Sequence, residues 1–263
     1  MSTVSATSVQ SIQQSVQQAD KSADKSKNVM SHFQLVGEFH DVFGHPQRTE
    51  LYETCFETEP KLVPFRISLI REELNEFKDA LKKKDVVEMF DALCDLSYVT
   101  NGAGQCLGIN LDKLLLKRNR SIDSNAEPYC VSDNVLETMS EQIEKGLKLI
   151  NDAVDNFCGS AETQDLEEMG QYLVEILQAT YDLGHTMGGN MDLMFREVHR
   201  SNMTKVCDNI EDAKASVEFY EKEGRYSKPT IRTKGRYFVV YDATTTKILK
   251  NHKWEQPNLK QFF

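Results

Sequence analysis

Two stretches of this chain carry acidic residues at spacings that could bind a divalent cation. Glu72, Glu73 and Glu76 share one face of a predicted helix, and only Glu73 flanks the apolar stripe of that helix. A second run has acids at i, i+3 and i+7, which also places them on one face: Glu88, Asp91 and Asp95. If the two faces meet, the carboxylates repel one another unless they are protonated or bound to cations. Ligands that offer only oxygen suit Mg²⁺ or Mn²⁺.

Acidic runs of this kind usually form the solvated face of a helix, so that interpretation competes with a metal site. The second acidic helix, however, is apolar on most sides, and no basic residue lies between Asp85 and Lys113. An acid on a helix of this kind is not incidental surface. The pattern therefore favours the metal site.

A second constellation lies near the end of another predicted helix. His199, Asn202 and Lys205 are spaced at i, i+3 and i+6, so they could share a helix end and contact a phosphate or a base. A single histidine is more often structural and a lysine is usually surface, and the pattern leaves both alternatives open. Further along, hairpin surface is a sufficient explanation for Lys250, and Trp254 fits a small core in the tail better than a base-stacking platform.

The predicted helices that carry these residues belong to two similar copies within the chain. Residues 85–121 and 165–201 align without a gap at an offset of 80 residues. The aligned pairs that are identical include Asp85/Asp165, Glu88/Glu168, Met89/Met169, Leu93/Leu173, Thr100/Thr180, Gly104/Gly184, Gly108/Gly188, Asn110/Asn190, Asp112/Asp192, Arg120/Arg200 and Ser121/Ser201. An ungapped register of this length indicates an internal duplication.

The two copies have lost different residues. Glu72, Glu73, Glu76 and Asp91 correspond to Lys145, Gly146, Leu149 and Gln171, whereas Glu88 and Asp95 keep acidic counterparts in Glu168 and Glu175. In the other direction, copy one has Asn119, Ile122 and Asn125 where copy two has His199, Asn202 and Lys205. This pattern predicts one active site divided between two unlike halves.

Apolar periodicity predicts helices near 33–40, 65–81, 86–107, 111–118, 135–157, 166–187, 191–199 and 209–223, and a β-hairpin formed by 235–241 and 247–250. The expected fold is all-α: a duplicated helical-bundle core with a C-terminal helix and β-hairpin appendage. The predicted domains are a disordered polar tail (1–31), a first helical repeat with the acidic site (32–125), a second, degenerate repeat (126–206) and a C-terminal module (207–263).

Composition excludes several classes of protein. A net charge of -10 argues against binding nucleic acid through the global field, and no apolar run is long enough to span a membrane. The six cysteines form no CxxC pair and several lie in apolar helical stretches, which favours reduced thiols. We therefore expect an intracellular, cytoplasmic protein with no nucleic-acid or membrane partner.

The acidic motifs Arg71-Glu72-Glu73-x-x-Glu76 and Glu88-x-x-Asp91-x-x-x-Asp95 resemble those of the all-α nucleoside triphosphate pyrophosphohydrolases, the MazG-like and phosphoribosyl-ATP pyrophosphohydrolase-like superfamily. Three flanking segments are also similar to that superfamily: 38–46, 197–205, and 247–250 followed by Trp254 and Pro257. The resemblance covers about residues 33–259. A second copy of the bundle departs from the pattern of a single-copy member.

The resemblance implies Mg²⁺-dependent hydrolysis of a nucleoside triphosphate between the α and β phosphates, in nucleotide-pool sanitation. The family's ligands map to Glu73, Glu76 and either Glu88 with Asp91 or Asp91 with Asp95, and Glu72 becomes a candidate base. His199, Asn202 and Lys205 become candidates for binding the substrate. Single-copy members assemble as oligomers, so a homodimer of internally pseudo-dimeric chains is also possible. The alternatives are a catalytically silent nucleotide-binding or scaffold protein and, more weakly, a role in histidine biosynthesis.

Overall fold

A computed structural model of the chain describes residues 29–118, 131, 134–245 and 247–263. The polar tail predicted for 1–31 lies outside these residues except for its last three positions. The segment that joins the two copies, 121–133, which its composition predicts to be a linker, lies outside them except for Val131. Residues His32–Phe263 form one compact unit.

Within the described ranges the core is helical, as predicted. The first half contains α1 (His32–Phe43), α2 (Cys55–Thr58), α3 (Leu62–Lys83), α4 (Val86–Leu107) and α5 (Leu111–Lys117). The second half contains α6 (Val135–Thr138), α7 (Ser140–Glu162), α8 (Leu166–Thr186) and α9 (Met191–Met203). The C-terminal part consists of α10 (Ile210–Glu223), β1 (Pro229–Lys234), β2 (Tyr237–Asp242) and a 3₁₀ turn at Leu259–Phe262. The sequence analysis predicted one helix over 135–157, but the structure divides this stretch between α6 and α7.

The duplication is visible in the hydrogen bonds that start corresponding helices. Asp85 caps α4 with φ -90° and ψ 95°, and Asp165 caps α8 with φ -88° and ψ 93°. Asn110 and Asn190 cap α5 and α9 in the same way. In all four caps the side-chain oxygen accepts the backbone N–H three residues later, which satisfies a donor that the helix leaves free. The two copies therefore share local geometry as well as sequence.

The copies pack by exchanging helices. α3 and α4 form one helical hairpin, α7 and α8 form another, and the long helices α4 and α8 pack against each other. The helix after each long helix then packs mainly against the long helix of the other copy, so that α9 lies on α4 and α5 lies on α8. Fully buried side chains such as Phe90, Phe157 and Phe195 fill the resulting core. This exchange brings the acids of copy one next to the segment of copy two that contains Asn202 and Lys205.

The C-terminal hairpin is present, but its strands differ from the predicted ones. β1 pairs with β2 in antiparallel register from Pro229↔Asp242 to Lys234↔Tyr237, and Gly235, at φ 57°, lies in the tight turn. The predicted strand over 247–250 was wrong, because this segment makes only an isolated bridge between Ile248 and Tyr241. β1 was missed because only its pairing with β2 identifies it as a strand.

No helix among the described residues is long and apolar enough to cross a membrane. The five cysteines in the described ranges are free thiols, and four of them are buried. The sixth, Cys130, lies outside those ranges.

Candidate active site

A cavity of about 200 Å³ lies where α4, α9 and the C-terminal segment meet. It is lined by Val87, Glu88, Asp91, Asp95, Ser201, Asn202, Lys205, Lys250, Trp254, Gln256, Pro257 and Leu259. Three of these residues are predicted metal ligands from copy one, and two are predicted substrate-binding residues from copy two. The cavity is thus built from both copies and from the C-terminal segment.

The acids of α3 lie beside those of α4. Glu73 is half-buried, whereas Glu72 and Glu76 are exposed. The pKa of Glu73 is raised to about 9, first by burial and then by repulsion from Asp95 and Glu76. The pKa of Glu76 is also raised, by burial and then by the carboxylates of Glu72 and Glu88. Acids of the two faces therefore lie near enough to raise one another's pKa, which is the condition that the helical spacing left open.

We call the carboxylates of α3 and α4 the acidic wall of the site, and Asp91 and Asp95 form its deep part. Burial, followed by repulsion from Asp95 and Glu88, raises the pKa of Asp91 to about 7. The pKa of Asp95 is raised to about 6, mainly by burial, with Lys205 opposing the rise. One carboxylate oxygen, Asp91 Oδ1, is buried and has no hydrogen-bond donor among the described residues. A buried acceptor without a donor is costly, so this oxygen suits a cation.

The donor set fits a hard divalent cation in its chemistry, since the carboxylates of Glu76, Glu88 and Asp95, from two helices, lie near enough to Asp91 to raise its pKa. As the side chains stand, however, the described ranges contain no group of three or more His, Cys, Asp or Glu residues that could hold an ion. The fit therefore rests on the chemistry of these carboxylates and not on a preformed set of ligands.

Lys205 and Asn202 lie on the wall contributed by copy two. The Nζ of Lys205 donates to Oδ1 of Asn202 over 2.6 Å. Burial lowers the pKa of Lys205, while Asp95, Glu73 and Asp91 act in the opposite direction. The ammonium group is thus half-buried beside the acids, where it could meet the negative charge of a phosphate.

His199 does not line the cavity. Its Nδ1 lies 3.0 Å from the hydroxyl of Tyr98, and its Nε2 lies 3.3 Å from Oε2 of Glu38. Burial lowers the pKa of this imidazole, and the hydrogen bond to Glu38 opposes the change. The ring therefore links α1, α4 and α9 behind the site, and substrate binding by His199 stays a prediction.

The equivalent region of copy two is different. Arg118, at the end of α5, donates to Oε1 of Gln171 over 2.8 Å and to Oε1 of Glu175 over 3.2 Å. Gly146 packs so closely on Leu183 that a Cβ there would lie 2.8 Å from the leucine Cδ1. Gln171, the counterpart of Asp91, thus accepts a hydrogen bond from a guanidinium group, whereas Oδ1 of Asp91 has no donor among the described residues.

Sequence reasoning missed the contribution of the C-terminal segment. Lys250 and Trp254 line the cavity, although we had interpreted them as hairpin surface and as tail core. The family-like order of Lys250, Trp254 and Pro257 near the C-terminus could have indicated a functional segment. Sequence spacing alone, however, does not tell where this segment lies relative to the helices.

Comparison with known proteins agrees with this architecture. The family model for phosphoribosyl-ATP pyrophosphohydrolase matches residues 36–121, which include the six candidate acids Glu72, Glu73, Glu76, Glu88, Asp91 and Asp95. The chain is 33% identical over 238 residues to the uncharacterized protein L479 of Acanthamoeba polyphaga mimivirus, covering 87% of this chain and 94% of that protein. No solved structure matches. With its helical fold and ordered acidic motifs, the chain belongs to the phosphoribosyl-ATP pyrophosphohydrolase-like, MazG-like superfamily.

Proposed function

We propose that this protein hydrolyses nucleoside triphosphates between the α and β phosphates with Mg²⁺ as its cofactor, and that Mn²⁺ can substitute. The products are a nucleoside monophosphate and pyrophosphate, and the cellular role is nucleotide-pool sanitation. Membership of the superfamily supports a pyrophosphohydrolase in general. The observation that carries the specific proposal is the cavity, where the acids of α4 face Asn202 and Lys205 across a space of about 200 Å³.

In this proposal the acidic wall binds Mg²⁺. The ligands of the ion are Glu73, Glu76 and Asp91, together with either Glu88 or Asp95. When bound there, Mg²⁺ polarises the α-phosphoryl group and neutralises the leaving pyrophosphate.

The remaining steps belong to side chains of the chain itself. Glu72, exposed beside Glu73 on α3, accepts a proton from the attacking water. The water oxygen bonds to the α-phosphorus as the bond from that phosphorus to the bridging oxygen breaks. Asn202 and Lys205 orient the phosphates and offset their charge.

The proposed site occurs once per chain. Copy one supplies the acids, and copy two supplies Asn202, on the helix exchanged onto α4, and Lys205, just after that helix. In the corresponding region of copy two, Arg118 already bonds Gln171 and Glu175. We therefore expect one nucleotide to bind per chain.

The test is pyrophosphate release from a panel of nucleoside triphosphates with and without Mg²⁺. Calorimetry with Ca²⁺ in place of Mg²⁺ slows turnover and gives the stoichiometry. Lys205→Ala should weaken nucleotide binding about tenfold or more, because a half-buried charge contact is lost. Lys145→Ala is the matched control, since Lys145 is exposed and pairs only with Glu141 among the described residues.

Two nucleotides per chain, or unaltered affinity in Lys205→Ala, would refute the divided site. Nucleotide binding without any pyrophosphate release would instead identify the silent nucleotide-binding protein.

A further inference from the structure

The C-terminal segment is fastened to the helix that carries the copy-two residues of the site. Ser201 Oγ donates to the backbone oxygen of Glu255 over 2.7 Å, and Arg200 Nη1 donates to the Glu255 carboxylate over 2.6 Å. The backbone N–H of Asn258 donates to Oε1 of Glu197 over 2.7 Å. These contacts hold the segment as a wall of the cavity. Thr204 also accepts a hydrogen bond from the backbone N–H of Glu255. Four residues of segment 197–205 therefore bind the C-terminal segment: Glu197, Arg200, Ser201 and Thr204.

On this wall the ammonium group of Lys250 rests against an indole. Its Nζ lies 3.3 Å from the centroid of the Trp254 ring, and both residues line the cavity. Within the described ranges Lys250 forms no ion pair with a carboxylate. Asp95 and Asp91 nevertheless lie near enough to oppose the lowering of its pKa that burial causes. A cation on an indole face is attracted by the ring without losing its capacity to donate hydrogen bonds.

We propose that Lys250 is a second phosphate-binding cation of this site, and that Trp254 is the positioning residue that holds its ammonium group at the cavity wall. The inference rests on the proposed function, because it names which residues bind the phosphates of the same substrate.

The charge distribution supports this assignment. Lys205 and Lys250 reach one cavity from different segments of the chain, one after α9 and the other after the hairpin. They lie near enough to repel each other, and Asp95 and Asp91, which offset this repulsion, are among the acids that the proposed function assigns to the cation. A polyphosphate carries several negative charges and can contact both ammonium groups at once.

The test uses inorganic tripolyphosphate with Ca²⁺ in place of Mg²⁺ to slow turnover, which probes phosphate recognition without any base. Trp254 is the only tryptophan of the chain, so its fluorescence reports directly on the Lys250 contact. Tripolyphosphate should change this fluorescence, and by calorimetry Lys250→Met should raise the Kd about tenfold. Lys247→Met is the matched control: Lys247 is an exposed lysine of the same segment outside the cavity lining, and the change should be less than about twofold.

Trp254→Leu should raise the KM for a nucleoside triphosphate several-fold with little change in kcat, and Trp254→Phe should restore part of the loss. If Trp254→Leu does not fold, the Lys250→Met measurement decides alone. Unchanged tripolyphosphate affinity in Lys250→Met overturns the proposal, as does a wild-type protein that does not bind tripolyphosphate or binds it without a fluorescence change. Nucleotide turnover with an unaltered KM in Lys250→Met removes only this inference. Lys250-dependent binding without nucleotide hydrolysis removes only the proposed function.

Discussion

Replacing Asp91 by asparagine should stabilise the metal-free protein above pH 7, even though the residue belongs to the proposed active site. The side chain has a buried oxygen without a donor, and its pKa is raised to about 7. Folding therefore favours the neutral form. The stability of the wild-type protein should fall as the pH rises from about 4, where the unfolded side chain ionises, to about 7, where the folded one does. The amide side chain of the variant carries no charge at any pH and escapes this loss.

The size of the effect follows from the same pKa. One pKa unit corresponds to about 1.4 kcal/mol, so the difference between about 4 and about 7 sets an upper limit near 4 kcal/mol. Asp91 is only half-buried, and hydration reduces the effect to about 1–2 kcal/mol. For a protein of this size, that corresponds to roughly 2–8 °C in Tm.

The assay is thermal unfolding with a chelator at pH 5 and pH 8, followed by addition of Mg²⁺ at pH 8. Asp91→Asn should gain stability over the wild type mainly at pH 8, and Mg²⁺ should raise the Tm of the wild type more than that of the variant. Glu175→Gln is the control, because Glu175 pairs with Arg118 and its loss should cost about 0–1 kcal/mol at either pH. If Asp91→Asn is no more stable than the wild type at pH 8, or if its gain does not depend on pH, the electrostatic account of this wall is wrong.

Two further results are expected. Glu73→Gln and Glu76→Gln should each abolish Mg²⁺-dependent pyrophosphate release without lowering metal-free stability, and full activity in both variants would remove the metal assignment. Gly108→Ala should cost about 3 kcal/mol or more in chemical denaturation, since its φ is 71° and a Cβ would lie 1.7 Å from the backbone oxygen of Glu50. Gly224→Ala has a φ of 69° but nothing within 4 Å, so its cost should stay near 1 kcal/mol, and equal costs would contradict the clash.

Local signals accounted for most of the helices. α4 begins and ends at the predicted residues because Asp85 supplies the N-cap and Gly108 the left-handed C-cap, and both signals are read directly from the sequence. The meeting of Glu73 with the acids of α4 was also predictable, since a short turn between two amphipathic helices leaves few ways to pack them.

Non-local pairing accounts for what was missed. The exchange that lays α9 on α4 depends on which apolar faces fit each other, and a duplicated pattern does not specify this choice. Likewise, β1 is recognised only through its pairing with β2. Lys250 is placed at the cavity by contacts between segments far apart in the sequence, because Tyr220 donates to its backbone oxygen and the N–H of Asn251 donates to the backbone oxygen of Lys205. The loss of acids in copy two was evident from the sequence, but the contact of Arg118 with Gln171 was not.

The exchange of helices between the copies also has a genetic consequence. In an assembly of identical chains, a substitution is present in every subunit and therefore in every equivalent site. A residue that is favourable in one site must then be acceptable in all of them. In this chain the position equivalent to Arg118 is Val198, which is buried in α9, and the two can diverge separately. An arginine could therefore become fixed beside Glu175 without placing a second guanidinium next to the acids of α4. Gene fusion thus allows one half of an ancestral symmetric pair to specialise while the other half keeps its chemistry.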